Sequence, residues 1–192
     1  MTVYPGTEPT RVNTVASPSG TSVVSVITLT SHAGTHIDAP IHSIPHTKGI
    51  DGFDLGTFYG PCRVLDVSDA KTQISLKDIT KFDIKSEERI LFKTSNSSRG
   101  FKEFYDDYVF LGSDAAEFLA NQGVVLVGID SLSIKQRGSP DHTPHTALLS
   151  QGIAIIEGLQ LKHVAEGSYT LSAFPLNVGD IDGSPIRAVL IK

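Results

Sequence analysis

The sequence predicts an α/β domain with a mixed-sheet core and few short helices, and three observations support that fold class. Short runs rich in Val, Ile and Leu recur along the whole chain, and two helix patterns fall between them. The composition is that of a globular protein, with 40% hydrophobic and 19% charged residues. No linker or repeat divides the chain, so we expect residues 1–192 to form a single domain.

The predicted strands are short and strongly apolar. Most of them lack a strict alternation of apolar and polar residues, which is typical of strands that are covered on both faces. Strand-rich termini argue against a purely doubly wound fold. The predicted strands are SVVSVITL (22–29), CRVLDVS (62–68), RILFKT (89–94), YVFLG (108–112), VVLVGID (124–130), IAIIEG (153–158), YTLSAFP (169–175) and RAVLIK (187–192).

Two helices are predicted between these strands. The segment DAAEFLANQG (114–123) begins with Asp, has Glu three positions later as in a capping box, and ends with glycine. The segment TPHTALLSQG (143–152) opens with Thr and Pro, which is typical of an N-cap and a first helical residue, and closes with glycine. Each helix lies between two predicted strands, which favours a mixed α/β core.

Charge and cysteine content argue against several classes of protein. The formal net charge is −5 and the Lys and Arg residues are scattered, whereas nucleic-acid binding needs a basic face. The longest apolar stretches are far shorter than the ~20 residues that span a bilayer. The N-terminus lacks the pattern of a signal peptide, and Cys62 is the only cysteine. We therefore expect a cytoplasmic protein without nucleic-acid or membrane partners.

The segment HAGTHIDAPIH, which begins at His32, concentrates good metal ligands. A helix is disfavoured there, because Gly34 is a poor helix former and Pro40 forces the preceding residue toward extended geometry. In an extended strand, side chains two positions apart share a face, so His36 and Asp38 should point the same way. A turn at Gly34 would bring His32 back beside them. Two imidazoles and one carboxylate so placed predict a site for a divalent cation.

A second group of candidate ligands lies in the C-terminal half. We expect His145 near the start of the second helix and Glu157 at the carboxyl end of the following strand, where ligands gather in α/β sheets. Glu157 follows the apolar run IAII, and a buried carboxylate needs a cation or a hydrogen-bond partner. His142 is interpreted as a loop residue that helps to shape the site. His46 lies in an exposed loop and is a weaker candidate.

The segment that begins at His32 resembles the H-x-G-T-H-x-D-x-P-x-H signature of the cyclase family, which includes bacterial-type kynurenine formamidases and isatin hydrolases. The stretches VYPG (3–6), VGIDSLSI (127–134) and HTALLSQGIAIIEGL (145–159) are also similar to family landmarks. The resemblance therefore covers nearly the whole chain. It implies a swivelling β/β/α fold that assembles as a homodimer or a larger homo-oligomer.

The resemblance also implies how the metal ligands are shared. His32 and His36 would hold one metal ion, and Asp38 would bridge two ions or hold a single one. His145 would complete the second site, and Glu157 would contact both ions. The metal would be zinc or manganese, because histidine and carboxylate ligands accept either, with one or two ions per chain.

The remaining site residues include a proton carrier and aromatic residues. The resemblance implies that His42 stays unligated and transfers a proton, and an imidazole titrates in the right pH range for that role. Many kynurenine formamidases have a Trp where this chain has Tyr4. The aromatic residues that could stack on an aromatic substrate are Tyr4, Phe53, Phe58 and Tyr59.

The resemblance, together with a site suited to metal-activated water, implies hydrolysis of a carbon–nitrogen bond in a small aromatic amide, with N-formylkynurenine as the leading substrate. Three alternatives stay open: a cyclase or dehydratase, a lactam or lactone hydrolase that uses the same site, and a non-catalytic metal-binding protein. A nucleophilic serine is disfavoured, because the sequence has no G-x-S-x-G motif. The many apolar strands suggest exposed apolar surface, which also predicts a homo-oligomer.

Overall fold

The computed structural model describes residues 1–17 and 19–192. In chain order the strands are β1 Arg11–Ala16, β2 Val23–Thr28, β3 His36–Asp38, β4 Tyr59–Asp66, β5 Gln73–Ile74, β6 Arg89–Lys93, β7 Phe110–Leu111, β8 Leu126–Ile129, β9 Ala154–Glu157, β10 Gly167–Ser172, β11 Gly183–Pro185 and β12 Val189–Ile191. Every predicted run overlaps a strand, and six of the eight runs contain a shorter one; β4 and β10 begin before their predicted runs. The sequence did not predict β1, β5 or β11, and it placed only a strand end near β3.

Eight of these strands form one mixed sheet, in the order β11-β3-β9-β8-β6-β4-β10-β12. The central strands β9, β8, β6 and β4 are parallel to one another. The outer pairs on each side are antiparallel. Strand β1 pairs with β2, and β5 pairs with β7, in two small separate sheets. The predicted α/β class with a mixed-sheet core is confirmed.

The helices are few and short, as the sequence predicted. They are α1 Leu76–Ile79, α2 Asn96–Arg99, α3 Ser113–Gln122 and α4 Thr143–Leu149. Single 3-10 turns lie at Pro40–His42, Ile50–Gly52, Leu55–Phe58 and Thr80–Phe82. Across the described ranges, we find no helix with the length and apolar character needed to cross a membrane.

The start of α3 differs from the predicted capping box. Its N-cap is Gly112, and Asp114 lies inside the first turn. The Asp114 carboxylate instead accepts a hydrogen bond from the backbone N–H of Leu76 at 3.0 Å, a long-range contact that the local spacing of Asp and Glu does not reveal. The predicted end is correct, because Gly123 closes the helix in the left-handed conformation with φ of 70°.

Both faces of the main sheet are covered, which explains why its central strands are almost wholly apolar. One face packs against α3 and α4 in a cluster that includes Phe92, Leu119 and Leu148. The other face packs against the first three 3-10 turns and the segments beside the outer strands, with Phe58 and Ile156 at its centre. None of these five side chains has exposed surface. Burial of one such side chain contributes roughly 1.5–3 kcal/mol to folding.

The hairpin formed by β1 and β2 departs from the expectation for the run at 22–29. The predicted strand is present, but its residues are exposed and not covered on both faces. The cross-strand pairs Val12–Ile27 and Val15–Val24 lie on opposite faces of the hairpin, and these side chains are 52–61% exposed. Apolar content alone predicted a strand, but it cannot distinguish a buried strand from an exposed one.

Candidate metal centre

Strand β3 carries two of the predicted ligands, and its place in the sheet brings others to them. It lies between β9 and β11, and antiparallel pairing puts His36 opposite Glu157 and Asp38 opposite Gly183. Directly opposed residues share a face of the sheet and lie close together, so the side chains of His36 and Glu157 meet. The backbone N–H of Ile134 orients Glu157 by donating to Oε1 at 2.6 Å.

The turn before β3 returns His32 to the same place, as the sequence predicted. Gly34 has φ of 65°, a left-handed conformation that favours glycine. Nδ1 of His32 lies 2.8 Å from Oδ1 of Asp38. The neighbouring strand leaves room for this ring, because a Cβ at Gly183 would lie 2.9 Å from Cε1 of His32 and 2.6 Å from the carbonyl oxygen of Ile37.

Two carboxylates face the other buried imidazoles. Nε2 of His36 lies 3.4 Å from Oδ1 of Asp38 and 3.3 Å from Oε2 of Glu157. Nε2 of His145 lies 3.5 Å from Oδ2 of Asp38 and 3.3 Å from Oε1 of Glu157. Helix α4 brings His145 here, and its N-cap is His142, one residue before the predicted start. All four converging residues are at most 5% exposed.

Three of the converging atoms have no hydrogen-bond partner among the described residues: Nε2 of His36 and both carboxylate oxygens of Asp38. An unpaired buried polar group costs about 1–3 kcal/mol, so this arrangement calls for a bound group. Ligands that lie ~2.0–2.2 Å from a tetrahedral zinc ion are about 3.3–3.6 Å from one another. The carboxylate oxygens of Asp38 and Glu157 lie 3.3–3.5 Å from Nε2 of His36 and His145, which matches the expected distance between ligand atoms. The residues therefore fit a divalent cation.

In His32 and His36, one ring nitrogen is hydrogen-bonded to an acceptor outside the ligand cluster. This contact determines which of the two nitrogens faces the centre. Nδ1 of His36 lies 3.0 Å from the carbonyl oxygen of Gly34, so Nδ1–H donates there and Nε2 is left as the ligand atom. Nε2 of His32 makes the corresponding hydrogen bond to Oδ2 of Asp182 at 2.8 Å. These contacts orient the rings before any metal binds.

In the metal-free protein, nearby carboxylates raise the pKa of three histidines of the cluster. Burial alone would lower the pKa of His36, but the carboxylates of Asp38 and Glu157 outweigh it and raise the pKa to about 10. The same balance raises the pKa of His145 to about 9, and that of His32, which also faces two carboxylates, to about 9. Burial would raise the pKa of Asp38, yet the facing imidazoles hold it well below its usual range.

His42 lies at the rim of this cluster. Its ring centroid is 4.2 Å from that of His32 and 5.5 Å from that of His145. Its side chain is 31% exposed, and Nδ1 lies 3.6 Å from Oδ2 of Asp182. The ligand atoms of His42, His32 and Asp38 all lie within 4.8 Å of one another. The structure therefore brings all six predicted ligand and catalytic residues together, with His42 as the most accessible of them.

A cavity of about 260 Å³ opens onto the cluster. Its wall includes Tyr4, Leu132, Ser133 and Lys135 beside the histidines. Tyr4 is the predicted aromatic contact that the structure places in this wall, and its ring meets that of Phe104 edge-on with centroids 5.1 Å apart. The cavity thus combines an apolar wall with a polar floor that the candidate metal ligands form.

The other aromatic candidates lie outside this cavity. Phe58 is fully buried in the core, and Phe53 packs edge-on against it with centroids 5.5 Å apart. Tyr59 is 53% exposed and stacks on Phe174, with centroids 6.2 Å apart. Within this chain apolar packing and the surface account for their positions, and their contact with substrate stays a prediction. His46 is exposed and does not line the cavity.

Asp182 was not among the predicted site residues. It immediately precedes β11 and reaches the site because β11 pairs with β3. Its carboxylate faces His32 and His42, and it accepts a hydrogen bond from Oγ of Ser31 at 2.8 Å. The stretch NVGDIDGSP holds two acidic residues but has no periodicity or ligand spacing. No signal in the sequence could therefore have separated Asp182 from an ordinary surface residue.

The family model described as "Putative cyclase" matches residues 1–136. The chain belongs to the cyclase family. The kynurenine formamidase of Bacillus thuringiensis (strain Al Hakam) is 37% identical over 192 residues, which cover 99% of this cyclase-family chain and 91% of that protein. The solved structure of a "predicted metal-dependent hydrolase" from Bacillus stearothermophilus is 36% identical, has a TM-score of 0.87, and covers 99% of this chain and 91% of that one.

The fold is shared more widely than the sequence. Isatin hydrolase A from Labrenzia aggregata has a TM-score of 0.79 at 20% identity, and the match covers 98% of this chain and 87% of that chain. The family resemblance seen in the sequence and the fold that it implied are thereby confirmed. His145 and Glu157 lie beyond the range of the family model, but the match to the Bacillus thuringiensis cyclase-family relative covers 99% of the chain.

Proposed function

We propose that this cyclase-family protein is a metal-dependent hydrolase that cleaves a carbon–nitrogen bond in a small aromatic amide, with N-formylkynurenine as substrate and kynurenine and formate as products. One observation carries the proposal: unpaired ligand atoms of His36 and Asp38 lie beside a cavity that His42 also lines. The likeness to the Bacillus thuringiensis kynurenine formamidase, at 37% identity, supports the choice of substrate.

The cofactor in this proposal is zinc or manganese, with one or two ions per chain. Such a cation, when bound, lowers the pKa of a water molecule toward about 7 and polarises a carbonyl oxygen. Asp38 is suited to bridge two ions, because Oδ1 faces His32 and His36 whereas Oδ2 faces His145. The two carboxylate oxygens of Glu157 also face different histidines, Oε2 toward His36 and Oε1 toward His145.

The chain's own residues would hold the substrate and move the proton. Tyr4 and Leu132 give the cavity an apolar wall against which an aromatic ring can lie, and Lys135 adds a positive charge to that wall. His42 is exposed enough to exchange protons with solvent and close enough to the cluster to reach a leaving amine. A proton carrier of this kind typically contributes ~10²–10⁴-fold to the rate.

The proposed assembly is a homodimer or a larger homo-oligomer formed through the β1–β2 hairpin. An isolated two-stranded hairpin is at best marginally stable in water. Exposed apolar side chains on both faces of a hairpin favour an interface, and a second copy of the chain carries the same side chains. The apolar residues of the hairpin, each more than half exposed, are Val12, Val15, Val23, Val24, Val26 and Ile27.

The proposed compartment is the cytoplasm, and the proposed partner is the small-molecule substrate. Cys62 is buried and makes no disulfide, which is the usual condition of a cysteine in a reducing compartment. Burial raises the pKa of its thiol to about 11, so Cys62 is unreactive near neutral pH.

The experiment that tests the reaction is a metal-reconstitution assay. Protein stripped with a chelator and reloaded with zinc or manganese is supplied with N-formylkynurenine, other N-formyl anilides, a lactam, a lactone and an enolisable ketone. We expect kynurenine to form only in the reloaded samples. Turnover of the lactam, lactone or ketone with no turnover of formamides would establish one of the alternative reactions. Tight metal binding without any turnover would identify a metal-binding protein.

A further inference from the structure

Asp182 is a half-exposed carboxylate that faces two histidines of the site at once. Its Oδ2 lies 2.8 Å from Nε2 of His32 and 3.6 Å from Nδ1 of His42. Its Oδ1 accepts a hydrogen bond from Oγ of Ser31 at 2.8 Å, and its backbone carbonyl accepts one from the N–H of Ala39 at 2.9 Å. Side chain and backbone are therefore both fixed against the segment that carries the metal ligands.

His32 presents its two nitrogens to two different carboxylates. Nε2 makes a well-directed hydrogen bond to Asp182. Nδ1 lies 2.8 Å from Oδ1 of Asp38, yet that oxygen accepts no hydrogen bond from any described residue. When a metal displaces the proton of Nδ1, Nε2–H would remain the donor to Asp182 and the lone pair of Nδ1 would face the centre. A carboxylate on the outer nitrogen of a metal-binding histidine fixes its tautomer and raises its basicity.

His42 is the second ring that shares this oxygen. A separation of 3.6 Å is longer than a hydrogen bond, but catalytic hydrogen bonds are often long in a free enzyme and shorten when substrate binds. The centroid distance of 4.2 Å between His42 and His32 keeps both rings within reach of a single carboxylate oxygen. A contact at Nδ1 of His42 leaves Nε2 available on the opposite side of the ring.

We propose that Asp182 is a positioning residue that fixes the tautomer and orientation of both His32 and His42 through one carboxylate oxygen. The part that concerns His42 rests on the proposed function, whereas the part that concerns His32 requires only that the centre binds metal. Asp182 thereby couples the metal affinity of His32 to proton transfer by His42.

The variant Asp182→Asn tests this role, because an amide keeps the size of the side chain but carries no negative charge and replaces one accepting oxygen with an NH2 donor. Asp180→Asn is the matched control, since it removes the same charge from an exposed residue two positions away. We expect Asp182→Asn to weaken zinc binding by about 10–100-fold at unchanged stoichiometry. It should also lower kcat with little change in KM. Asp182→Glu should recover part of both losses, and Asp180→Asn should change neither.

Nitrogen NMR of the imidazoles in the zinc-loaded protein gives a measurement that does not depend on turnover. His32 should carry its proton on Nε2 in the unchanged protein, and this pattern should be lost in Asp182→Asn. Unchanged zinc affinity together with an unchanged His32 spectrum would overturn the proposal, as would the loss of a whole metal equivalent, which would make Asp182 a ligand. Should no formamide be turned over at all, zinc affinity and the His32 spectrum still decide the proposal, separately from the proposed function.

Discussion

His36 and Glu157 are directly opposed in the antiparallel pairing of β3 with β9, and Nε2 of His36 lies 3.3 Å from Oε2 of Glu157. Two segments that are far apart in the sequence are thus brought into ligand distance by backbone register. A slip of one residue would turn one of these side chains to the other face of the sheet. The metal centre therefore depends on the register of this strand pair.

Removal of His36 should abolish metal binding and leave the fold largely intact. His36→Ala removes Nε2, a ligand atom with no hydrogen-bond partner among the described residues. It also removes one hydrogen bond, from Nδ1–H to the carbonyl oxygen of Gly34. We expect the purified variant to lack bound metal, measured by elemental analysis, with an unchanged far-UV circular dichroism spectrum. His46→Ala, at an exposed position away from the cavity, is the control and should keep its metal. Stoichiometric metal in His36→Ala would disprove the ligand assignment.

Removal of His42 should separate catalysis from metal binding. Its side chain is 31% exposed and lies at the rim, so the loss should affect packing little. We expect His42→Ala to purify with a normal metal content and to turn over substrate ~10²–10⁴-fold more slowly. The checks are elemental analysis and steady-state kinetics on the same preparation. A variant that loses metal would show that His42 is a ligand and that another group carries the proton.

The metal-free protein should lose stability as the pH rises above neutrality. The folded-state pKa values of His32 and His145 are about 9 and that of His36 is about 10, all above the ordinary value of 6.5. A raised histidine pKa stabilises the fold fully below about pH 6.5, and this contribution disappears as the pH passes through the folded-state values.

The measurement is thermal unfolding in the presence of a chelator, from about pH 6.5 to about pH 10. Tm should fall across this window, and the fall should be smaller in His36→Gln, which has lost one of the titrating groups. Added zinc should reverse the trend, because metal binding competes with protons for the same nitrogens. A metal-free Tm that rises with pH would contradict the pKa directions.

Charges placed on the hairpin should break the proposed assembly. Val24 and Val26 lie on one face of the hairpin, opposite Val15 and Asn13 of β1, and both are more than half exposed. We expect the double variant Val24→Lys, Val26→Glu to run as a monomer in light scattering at micromolar concentration, while the unchanged chain runs as a dimer or larger. Thr21→Lys, at an exposed polar position nearby, is the control. A monomer from the unchanged chain would refute the assembly itself.

A methyl group at Gly183 should disturb the metal centre from outside it. A Cβ there would lie 2.6 Å from the carbonyl oxygen of Ile37 and 2.9 Å from Cε1 of His32, so either β11 or the His32 ring must move. We expect Gly183→Ala to bind zinc more weakly, measured by competition with a chelating dye. Gly179→Ala is the matched control, because its Cβ would meet no atom closer than 3.4 Å. Equal zinc affinity in the two variants would show that the strand adjusts without moving His32.

The sequence predicted which residues meet at the centre because much of the site is local. His32, His36 and Asp38 lie in one short segment in which Gly34 supplies the turn. Chain direction in an α/β sheet was enough to place Glu157 at the same edge. Asp182 could not be predicted in this way, because it joins the site through the pairing of β11 with β3, which no local pattern encodes.

Other differences between prediction and structure have a similar cause. Asp114 was expected to cap α3, but its carboxylate binds the backbone of Leu76 far along the chain. Phe53 and Phe58 were candidates for substrate contact, but they pack with each other in the core. Aromatic and acidic side chains suit several environments equally well. Their final contacts depend on tertiary packing, which the identity of single residues does not specify.

The concentration of His32, His36 and Asp38 in one short segment also affects the denatured ensemble. A cation can be chelated weakly by this segment even in an unfolded or nascent chain. An ion that binds both states stabilises the folded one by less than its native affinity implies. Glu157 and His145 join only after β3 has paired with β9, and the ion then cross-links distant parts of the chain and closes a long loop. The net linkage of metal to folding therefore comes mainly from these two late-arriving ligands.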